Sequence, residues 1–419
     1  MQKVLASIIT IGDELLIGQT IDTNSAWMAQ QLNQAGIWVH RRVSVGDERD
    51  AIWNTLDAES RLSDMVLITG GLGPTADDIT KPLLCDYFGG KLVVDQATLA
   101  HVKYLFEKVF RRPGPLLERN LKQAEVPDVC TILFNKIGTA PGMWFEKEGK
   151  IFVSMPGVPQ EMMGLMTDEV IPRLKTRFTM PYIQHRTVFT FGAGESVIAE
   201  RLIGFESQLP QPFKLAYLPH YGMVRLRLTA TGDKLDVLVA EMEAQFAALC
   251  ALVEDITVVK EDISMEAFIG RVLLDRGKTL ATAESCTGGT IAHLITAIPG
   301  SSAWFKGGVV SYTEEVKENI LHVPPNFIEK EGVVSEEVVT YMVKGALETI
   351  AADYAIATSG IMGPGGGTPE LPVGTVWVAV GNRKEVKAKL FHFRYGRSLN
   401  IQLTAVNALN LLRLFMLGD

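Results

Sequence analysis

The sequence contains few cysteines and no long apolar run. Its cysteines lie far apart in the 419-residue chain and form no CxxC pair, so neither a disulfide framework nor a zinc site is indicated. There are four: Cys85, Cys130, Cys250 and Cys286. No stretch approaches about 18 uninterrupted apolar residues, and the first residues lack the apolar segment and cleavage site of a signal peptide. We therefore expect a cytoplasmic protein that does not associate with membranes.

The chain also lacks the positive charge of a nucleic-acid-binding protein. Its formal net charge is −8 and its pI is about 5.5, which argues against DNA or RNA as a partner. The seven histidines show no metal-ligand spacing. The sequence does have 47% hydrophobic residues, enough for sizeable cores, and its length predicts two or three domains of about 150 residues each.

The first part of the chain alternates strand-like and helix-like segments. The segments are strands at Val4–Ile11, Trp38–Val45 and Met65–Thr69 and helices at Thr23–Ala35 and Asp50–Arg61. This alternation predicts a parallel sheet with helices on both faces. Ligands bind such sheets at the carboxyl ends of the strands.

Two loops of this part lie at those ends. The first carries Gly12, Asp13 and Glu14 after the first strand, and the second is the glycine-rich segment from Gly70 to Thr80. Glycines let main-chain amides approach a phosphate, and a nearby carboxylate can hold a divalent cation. The pair Asp77 and Asp78 can also simply stabilise the start of the next helix. The pattern as a whole favours nucleotide-phosphate binding.

The middle of the chain has a different texture. Apolar and polar residues alternate strictly from Val224 to Ala230, which indicates a strand with one buried and one solvated face. A helix is predicted at about Lys234–Leu252. The pattern predicts a small α+β domain without a catalytic constellation.

The candidate nucleophiles of the last part of the chain lie at a strand-to-helix junction. The segment Thr282–Gly289 leads from an apolar strand into a helix and carries Ser285 and Cys286. The start of a helix presents free amides that suit an anion or a developing oxyanion. Ser285 is the first candidate nucleophile, and Cys286 is the second because a thiolate at a helix start is reactive.

A second strand-to-helix junction supplies a candidate base. Tyr312 follows a strand, Thr313 caps the next helix, and Lys317 lies in its first turns. If the two strands are neighbours, Lys317 can face Ser285, and Ser–Lys pairs are an established nucleophilic arrangement. The alternative is an ordinary solvated lysine three residues from Glu314. After a further strand, Tyr354–Thr358, the glycine-rich segment 359–368 predicts a main-chain cradle for phosphate or carboxylate.

The motifs, in this order, resemble the CinA (competence/damage-inducible) family over essentially the whole chain. In the first part they are Gly-Asp-Glu-Leu-Leu at 12–16, the Gly-Gly-Leu-Gly-Pro-Thr run from 70, Asn-x-x-Gly-Thr-Ala-Pro-Gly at 135–142 and Pro-Gly-Val-Pro-x-Glu-Met at 156–162. In the last part they are Ala-Glu-Ser-Cys-Thr-Gly-Gly at 283–289, Pro-Gly-Ser-Ser-x-Trp-Phe at 299–305, Gly-Gly-Val-Val-Ser-Tyr at 307–312, Gly-Val-Val-Ser-Glu at 332–336, the Thr-Ser-Gly run from 358 and Pro-Val-Gly-Thr-Val at 372–376.

The resemblance implies an α/β fold class, with two three-layer α/β/α domains whose sheets are mainly parallel, joined by a small α+β middle domain. The expected domains are residues 1–172, similar to molybdopterin-binding domains, residues 173–257, and residues 258–419, the nicotinamide mononucleotide (NMN) deamidase domain. A homodimer is our expectation for the assembly.

For the last domain, the resemblance implies a hydrolase of pyridine-nucleotide recycling that converts NMN to nicotinate mononucleotide and ammonia without a cofactor. Ser285 would attack the carboxamide, Lys317 would transfer protons, and Tyr312 matches a polar position of the catalytic pocket. The expected substrate-binding residues are Cys286, Thr287, Gly288, Gly289, Ser301, Ser302, Ser359, Gly360, Gly363, Gly365, Gly366 and Arg397.

For the first domain, the resemblance implies an ADP-ribose pyrophosphatase that requires a divalent metal ion (Mg, Mn or Co). The expected metal ligands are Asp78, Asp77 and Asp13. The expected nucleotide-binding residues are Gly12, Glu14, Asn24, Gly70, Gly71, Gly73, Thr75, Thr80, Gly138, Pro156 and Gly157. Two alternatives remain: a molybdopterin or nucleotide-binding module without this activity, and a non-catalytic factor associated with competence or DNA damage.

The sequence departs from the family pattern at two positions. Where the final helix of the family often carries a second arginine, three residues after Arg397, this chain has Asn400. An asparagine offers a neutral hydrogen bond in place of a bidentate cation. Met362 stands where a small residue is common, so its bulk is expected to narrow the pocket or to pack.

Overall fold

The computed structural model describes residues 3–75, 78–111 and 116–418. The chain forms two compact units: residues 1–184 together with 230–240, and residues 185–229 together with 241–419. Within the described ranges, none of the helices combines the length and the apolar character needed to cross a bilayer.

The first unit is built on a six-stranded sheet. Its strands and those of a small two-stranded ribbon (β4 and β5) are β1 Leu5–Ile11, β2 Trp38–Val45, β3 Met65–Thr69, β4 Leu92–Val94, β5 Glu125–Pro127, β6 Thr131–Leu133, β7 Gly142–Lys147 and β8 Lys150–Met155. The helices are α1 Asp13–Leu16, α2 Thr23–Gln34, α3 Arg49–Leu62, α4 Thr80–Tyr87, α5 Gln96–Tyr104, α6 Glu118–Leu121, α7 Pro159–Leu165 and α8 Ile171–Arg177.

The order of the large sheet is β2-β1-β3-β8-β7-β6, with parallel pairing from β2 to β8 and antiparallel pairing beyond. Successive residues of β1 face opposite cores: Ile8 packs with α2 and α7, and Ile9 packs with α3 and α4. This is the expected three-layer α/β/α arrangement. One detail is wrong: the helix expected to begin at Asp77–Asp78 begins at Thr80, so Asp78 lies in the preceding loop.

A four-stranded sheet follows, in the order β10-β11-β9-β12. Its elements are β9 Tyr182–Phe191, α9 Glu195–Gln208, β10 Lys214–His220, β11 Met223–Gly232, α10 Leu235–Leu252 and β12 Thr257–Val259. Leu226 and Leu228 are fully buried whereas Arg227 between them is exposed. The alternation predicted for this strand is therefore confirmed.

The remainder of the second unit forms a five-stranded mixed sheet, in the order β14-β13-β15-β16-β17. Its strands are β13 Leu280–Glu284, β14 Phe305–Val310, β15 Tyr354–Gly360, β16 Thr375–Asn382 and β17 Val386–His392. Its helices are α11 Met265–Asp275, α12 Thr290–Thr296, α13 Glu314–Leu321, α14 Pro325–Glu331, α15 Glu336–Thr349 and α16 Arg397–Leu417. Helices α11, α12 and α16 contribute to the core on one face, and α13 and α15 to the core on the other.

Strand β13 runs parallel to β14 on one side and to β15 on the other. The pairing with β14 is irregular near its start, because Leu280 lies opposite Phe305 but Ala281 lies opposite Gly307, which leaves Lys306 unpaired in the register. At the other end Glu284 lies opposite Val310. The segments after β13 and β14 therefore leave the sheet side by side, at its carboxyl edge.

Candidate active site

Ser285 lies in a tight turn directly after β13. Its amide donates a hydrogen bond to the carbonyl of Thr358 on β15 (3.0 Å), and its own carbonyl accepts from the amide of Gly288 (3.2 Å). Gly288 has a φ of 60° and Gly289 a φ of 95°, a conformation that glycine adopts without steric cost. The turn thereby holds Ser285 at the carboxyl edge of the sheet.

Lys317 reaches the same point from α13. Thr313 begins this helix by accepting a hydrogen bond from the amide of Val316, as expected. The Nζ atom of Lys317 lies 3.1 Å from Oγ of Ser285 and donates to the carbonyl of Ser311 at 2.7 Å. The side chain is almost fully buried, and burial lowers the pKa of Lys317, an effect that the Cys286 and Glu314 side chains oppose. A buried lysine of lowered pKa beside a serine hydroxyl can act as a base.

The pair opens into a cavity of about 550 Å³. The lining residues are Ser285, Cys286, Tyr312, Thr313, Glu314, Glu315, Lys317, Val333, Val334, Ser359, Gly360, Met362 and Arg397. The structure thus brings together all three residues expected to be catalytic and four of those expected to bind substrate. Sequence reasoning did not assign Glu314 and Glu315 to the site, although their position beside Lys317 at the start of α13 was the available signal.

Other expected substrate-binding residues lie elsewhere. Ser301 and Ser302 precede β14, at the amino edge of the sheet and thus opposite the edge that carries Ser285. Neither residue lines this cavity, and their role in substrate binding stays a prediction. Thr287 is buried, and its hydroxyl is bonded to Thr358. The remaining ones, none of which lines the cavity, are Gly288, Gly289, Gly363, Gly365 and Gly366.

Arg397 is the first residue of α16 and lines the cavity. Its guanidinium donates to the carbonyl of Gly363 (2.9 Å) and to the hydroxyl of Tyr312 (3.1 Å). It therefore connects the glycine-rich loop with the segment after β14. Because the first amides of a long helix are free, the start of α16 with Arg397 is the part of the cavity best suited to a phosphate.

Asn400 does not replace a phosphate ligand. It is fully buried and lies outside the cavity lining. Its amide donates to the carbonyls of Tyr395 and Met362 (2.8 and 3.2 Å), and its oxygen accepts from the amide of Tyr395 (3.2 Å). Asn400 instead fixes the chain before α16, and Met362, which is buried, forms part of the cavity wall.

The expected rival nucleophile, Cys286, is poorly suited to that role. Burial raises the pKa of the Cys286 thiol to about 12. A thiol of such pKa is almost entirely protonated near neutral pH, and the thiolate is the reactive form. The site therefore favours Ser285.

The start of α12 is already occupied by a carboxylate. Glu284, the last residue of β13, is buried and accepts hydrogen bonds from the amides of Gly289, Ile291 and Ala292. The expectation that these amides are free for a substrate anion is therefore wrong. The signal in the sequence was an acidic residue five positions before Gly289, an N-cap residue that has no side chain of its own to cap the helix.

Another cavity, of about 430 Å³, lies in the first unit, at the carboxyl edge of its sheet. Its lining includes Gly12, Glu14, Gly70, Gly71, Gly73, Asp78, Pro156 and Gly157, all expected from the sequence, together with Asp47, Gln123, Thr139 and Glu161, which were not assigned. Glu161 was visible in the Pro-Gly-Val-Pro-x-Glu motif. Four carboxylates and no basic side chain line the cavity among the described residues.

The other expected residues of this unit support the loops. Asn24 donates to the carbonyl of Gly157 (2.8 Å), Thr75 donates to the carboxylate of Asp78, and Gly138 packs against Glu161. Thr80 is fully buried beneath Gly71.

Metal binding was expected at Asp13, Asp77 and Asp78. Asp13 exchanges hydrogen bonds with Asp47 and does not line the cavity, whereas Asp78 does, and Asp77 lies outside the described residues. In the described part of the chain, no three His, Cys, Asp or Glu side chains form a ready metal cluster. Mg²⁺, however, commonly binds through one or two carboxylates and the phosphates of a substrate. Asp78 and Glu14, which line one cavity with the glycine loop, fit that mode of binding.

Comparisons with known proteins extend over the whole chain. Family models match at residues 7–176 ("Probable molybdopterin binding domain"), 185–255 ("Damage-inducible protein CinA KH domain") and 262–416 ("CinA C-terminal domain"). A CinA-like protein of Flavobacterium psychrophilum is 44% identical over 408 residues, 97% of each chain. One of Cytophaga hutchinsonii is 44% identical over 410 residues, 98% of this chain and 97% of the relative. The crystal structure of the competence/damage inducible protein CihA from Agrobacterium tumefaciens matches 37% of this chain and 94% of its own, at 36% identity and a TM-score of 0.36.

Proposed function

Because this chain belongs to the CinA family, we propose that its C-terminal domain hydrolyses the carboxamide of NMN to nicotinate mononucleotide and ammonia. The observation that carries the proposal is the 3.1 Å contact between Oγ of Ser285 and the buried Nζ of Lys317 in the lining of a cavity. A nucleophile, a base of lowered pKa and a cavity that can enclose a substrate occur together here.

In the first half of the reaction, the neutral amine of Lys317 takes the proton of Ser285 while Oγ attacks the carboxamide carbon. The bond to Ser311 holds the amine in place during this transfer. The amide of Cys286, directly after the nucleophile, is the donor that we assign to the developing oxyanion. The protonated Lys317 then gives its proton to the departing nitrogen, and ammonia leaves an ester of Ser285.

In the second half, Lys317 takes a proton from water, and the resulting hydroxide attacks the ester carbon. The proton returns to Oγ of Ser285 as the ester breaks, and nicotinate mononucleotide leaves. Arg397 and the start of α16 bind the substrate phosphate in this proposal, because a guanidinium matches phosphate geometry. Glu314 and Glu315 contribute negative charge to the lining of the same cavity.

The test is ammonia release from NMN by the purified full chain. The wild type should turn over, and Ser285→Ala should fall to the background rate because the variant lacks the nucleophile. Ser207→Ala is the matched control: it removes the same hydroxyl from an exposed position on α9, outside the cavity. Intact NMN with the wild type, or equal turnover in Ser285→Ala, would reject the proposal.

For the N-terminal domain we propose a metal-dependent ADP-ribose pyrophosphatase. The supporting observation is a cavity that combines glycine amides with carboxylates and has no basic lining side chain among the described residues. A diphosphate needs neutralising charge, which a divalent ion held by Asp78 and Glu14 would supply. In this proposal the main-chain amides of Gly71–Gly73 orient the phosphates, and Asn24 holds the Gly157 loop in place.

The experiment is to follow ADP-ribose with and without Mg²⁺, Mn²⁺ or Co²⁺. Cleavage should require the ion and be lost in Asp78→Asn. In the control Asp128→Asn, which alters a loop carboxylate that binds the amide of Lys91 outside the cavity, cleavage should persist. Intact ADP-ribose together with tight binding of a pterin nucleotide would favour the alternative of a binding module. Inactivity of both domains would favour a non-catalytic role in competence or DNA damage.

A further inference from the structure

Glu284 stands next to the nucleophile, and its buried carboxylate has an unusual set of partners. Oε2 accepts from the amides of Gly289 (3.1 Å) and Ile291 (3.0 Å), and Oε1 accepts from the amide of Ala292 (2.8 Å). The side chain is only 1% exposed. These donors are the N-cap and the first-turn amides of α12.

The helix has no other side-chain cap. Its N-cap residue, Gly289, has a positive φ and carries no side chain, so the amides would be orphaned without an acceptor from elsewhere. An acid placed among them is stabilised by both the hydrogen bonds and the helix dipole. Glu284 therefore caps α12 from the end of a strand.

This cap anchors the chain on both sides of the nucleophile. The main chain of Glu284 is fixed in the sheet, where its carbonyl accepts from the amide of Ser311 (2.9 Å), and its side chain is fixed to the start of α12. Ser285 and the turn after it lie between these two anchor points. A second consequence is that a substrate phosphate cannot use the α12 amides.

We propose that Glu284 is a positioning residue for the deamidase: it holds the turn so that Oγ of Ser285 stays within reach of Lys317, and it directs the substrate phosphate away from α12. The expected effect on NMN turnover rests on the proposed function, whereas the expected effect on the reactivity of Ser285 does not. A misplacement of the nucleophile by about 1 Å costs on the order of a hundredfold in rate. Loss of the cap should therefore lower kcat rather than raise KM.

The test compares Glu284→Gln and Glu284→Asp with the wild type. Glutamine has the same shape, but its amide N–H₂ must face one of the amide donors. Aspartate keeps the charge and is one methylene too short to hold all three. In both variants we expect kcat for NMN to fall at least tenfold while KM stays within twofold. The control is Ser264→Ala, which removes the N-cap of α11 in the same unit and should leave both constants unchanged.

A second readout does not need NMN. A fluorophosphonate probe forms a bond from Oγ of Ser285 to phosphorus as fluoride leaves, with the proton passing to Lys317, and mass spectrometry gives the labelling rate. The rate should fall at least tenfold in both Glu284 variants. If the wild type is labelled but leaves NMN intact, the proposed function fails while the labelling rates still decide the role of Glu284.

Three results would overturn the inference. The first is labelling and kcat within twofold of wild type in both variants, which would mean that the cap does not position Ser285. The second is a raised KM at unchanged kcat, which would indicate that the start of α12 binds substrate. The third is failure of both variants to fold, measured as loss of cooperative thermal unfolding, which would assign Glu284 a purely structural role.

Discussion

Replacing Lys317 with methionine separates catalysis from stability at this site. Methionine has a similar length and no charge, so it can fill the same buried space. The change removes the contact with Ser285 and the bond to the Ser311 carbonyl. It also removes the cost of burying an amine, which is the main cause of the lowered pKa of Lys317.

The two effects have different sizes. Loss of a general base lowers the rate by about 10²–10⁴, equivalent to about 2.7–5.5 kcal/mol of activation free energy. An orphaned Ser311 carbonyl costs about 1–3 kcal/mol of stability, and relief of amine desolvation offsets part of that. We therefore expect the free energy of unfolding of Lys317→Met to lie within about 2 kcal/mol of the wild-type value. The variant should be nearly inactive.

The pH dependence gives an independent check. Because only neutral Lys317 can accept the proton, kcat/KM should rise with pH and level off above an apparent pKa lower than the usual lysine value of about 10.4. In the same window the unfolded chain binds more protons at this position than the folded chain, so the free energy of unfolding should also rise with pH. Both increases should disappear in Lys317→Met.

The assays are ammonia release from NMN between about pH 6 and 10, which lies below the usual lysine pKa, and urea unfolding of the same samples. The control is Lys306→Met, because Lys306 also donates to a main-chain carbonyl, that of Ala351, but is exposed and outside the cavity. Activity of Lys317→Met within fivefold of wild type, or a wild-type rate that falls as pH rises through this range, would refute the reasoning.

Three further predictions concern other positions. Cys286→Ala should keep at least about a third of the deamidase rate, since a thiol with its pKa raised to about 12 is not the nucleophile; loss of turnover would reassign that role. Asn400→Arg, which restores the family arginine, should lower the melting temperature without lowering KM, because Asn400 is fully buried; a lower KM would place it in the phosphate site. In urea unfolding, Gly70→Ala should destabilise the chain by about 1–3 kcal/mol more than Gly89→Ala. Both glycines have positive φ, so the backbone strain is common to the two variants. A Cβ at Gly70, however, would lie 2.2 Å from the Ile11 carbonyl oxygen, whereas one at Gly89 meets nothing within 4 Å. Equal effects would show that the clash is relieved.

The sequence predicts the sheets better than it predicts the side chains between them. Alternation of strands and helices predicted the α/β fold, because such patterns depend on local periodicity and on simple connection rules. The sequence left open whether β13 and β14 are neighbours, and in the structure they pair directly. The contact of Ser285 with Lys317 follows from that pairing. The domain boundaries, the homodimer and the ligands of both cavities stay predictions.

The failures have a common physical cause. The sequence does not state which way a side chain turns, so the role of Glu284 as the cap of α12 was overlooked, and the bonds of Asn400 to the main chain before α16 were not foreseen. Ser301, expected in the pocket from the family resemblance, lies before β14, and the whole of α12 separates its motif from Ser285.

The irregular pairing at the start of β14 has a consequence for how the site tolerates insertions and deletions. With Lys306 unpaired in the register, β14 carries one more residue than the strand it faces, and only with that residue does Val310 come opposite Glu284. Removing one residue from β14 would draw the following segment back by about 3.3 Å and turn its side chains to the other face. That shift exceeds the 3.1 Å separation of Ser285 and Lys317. The alignment of nucleophile and base is thus set by a count of residues at the far end of the sheet, where no side chain touches the cavity.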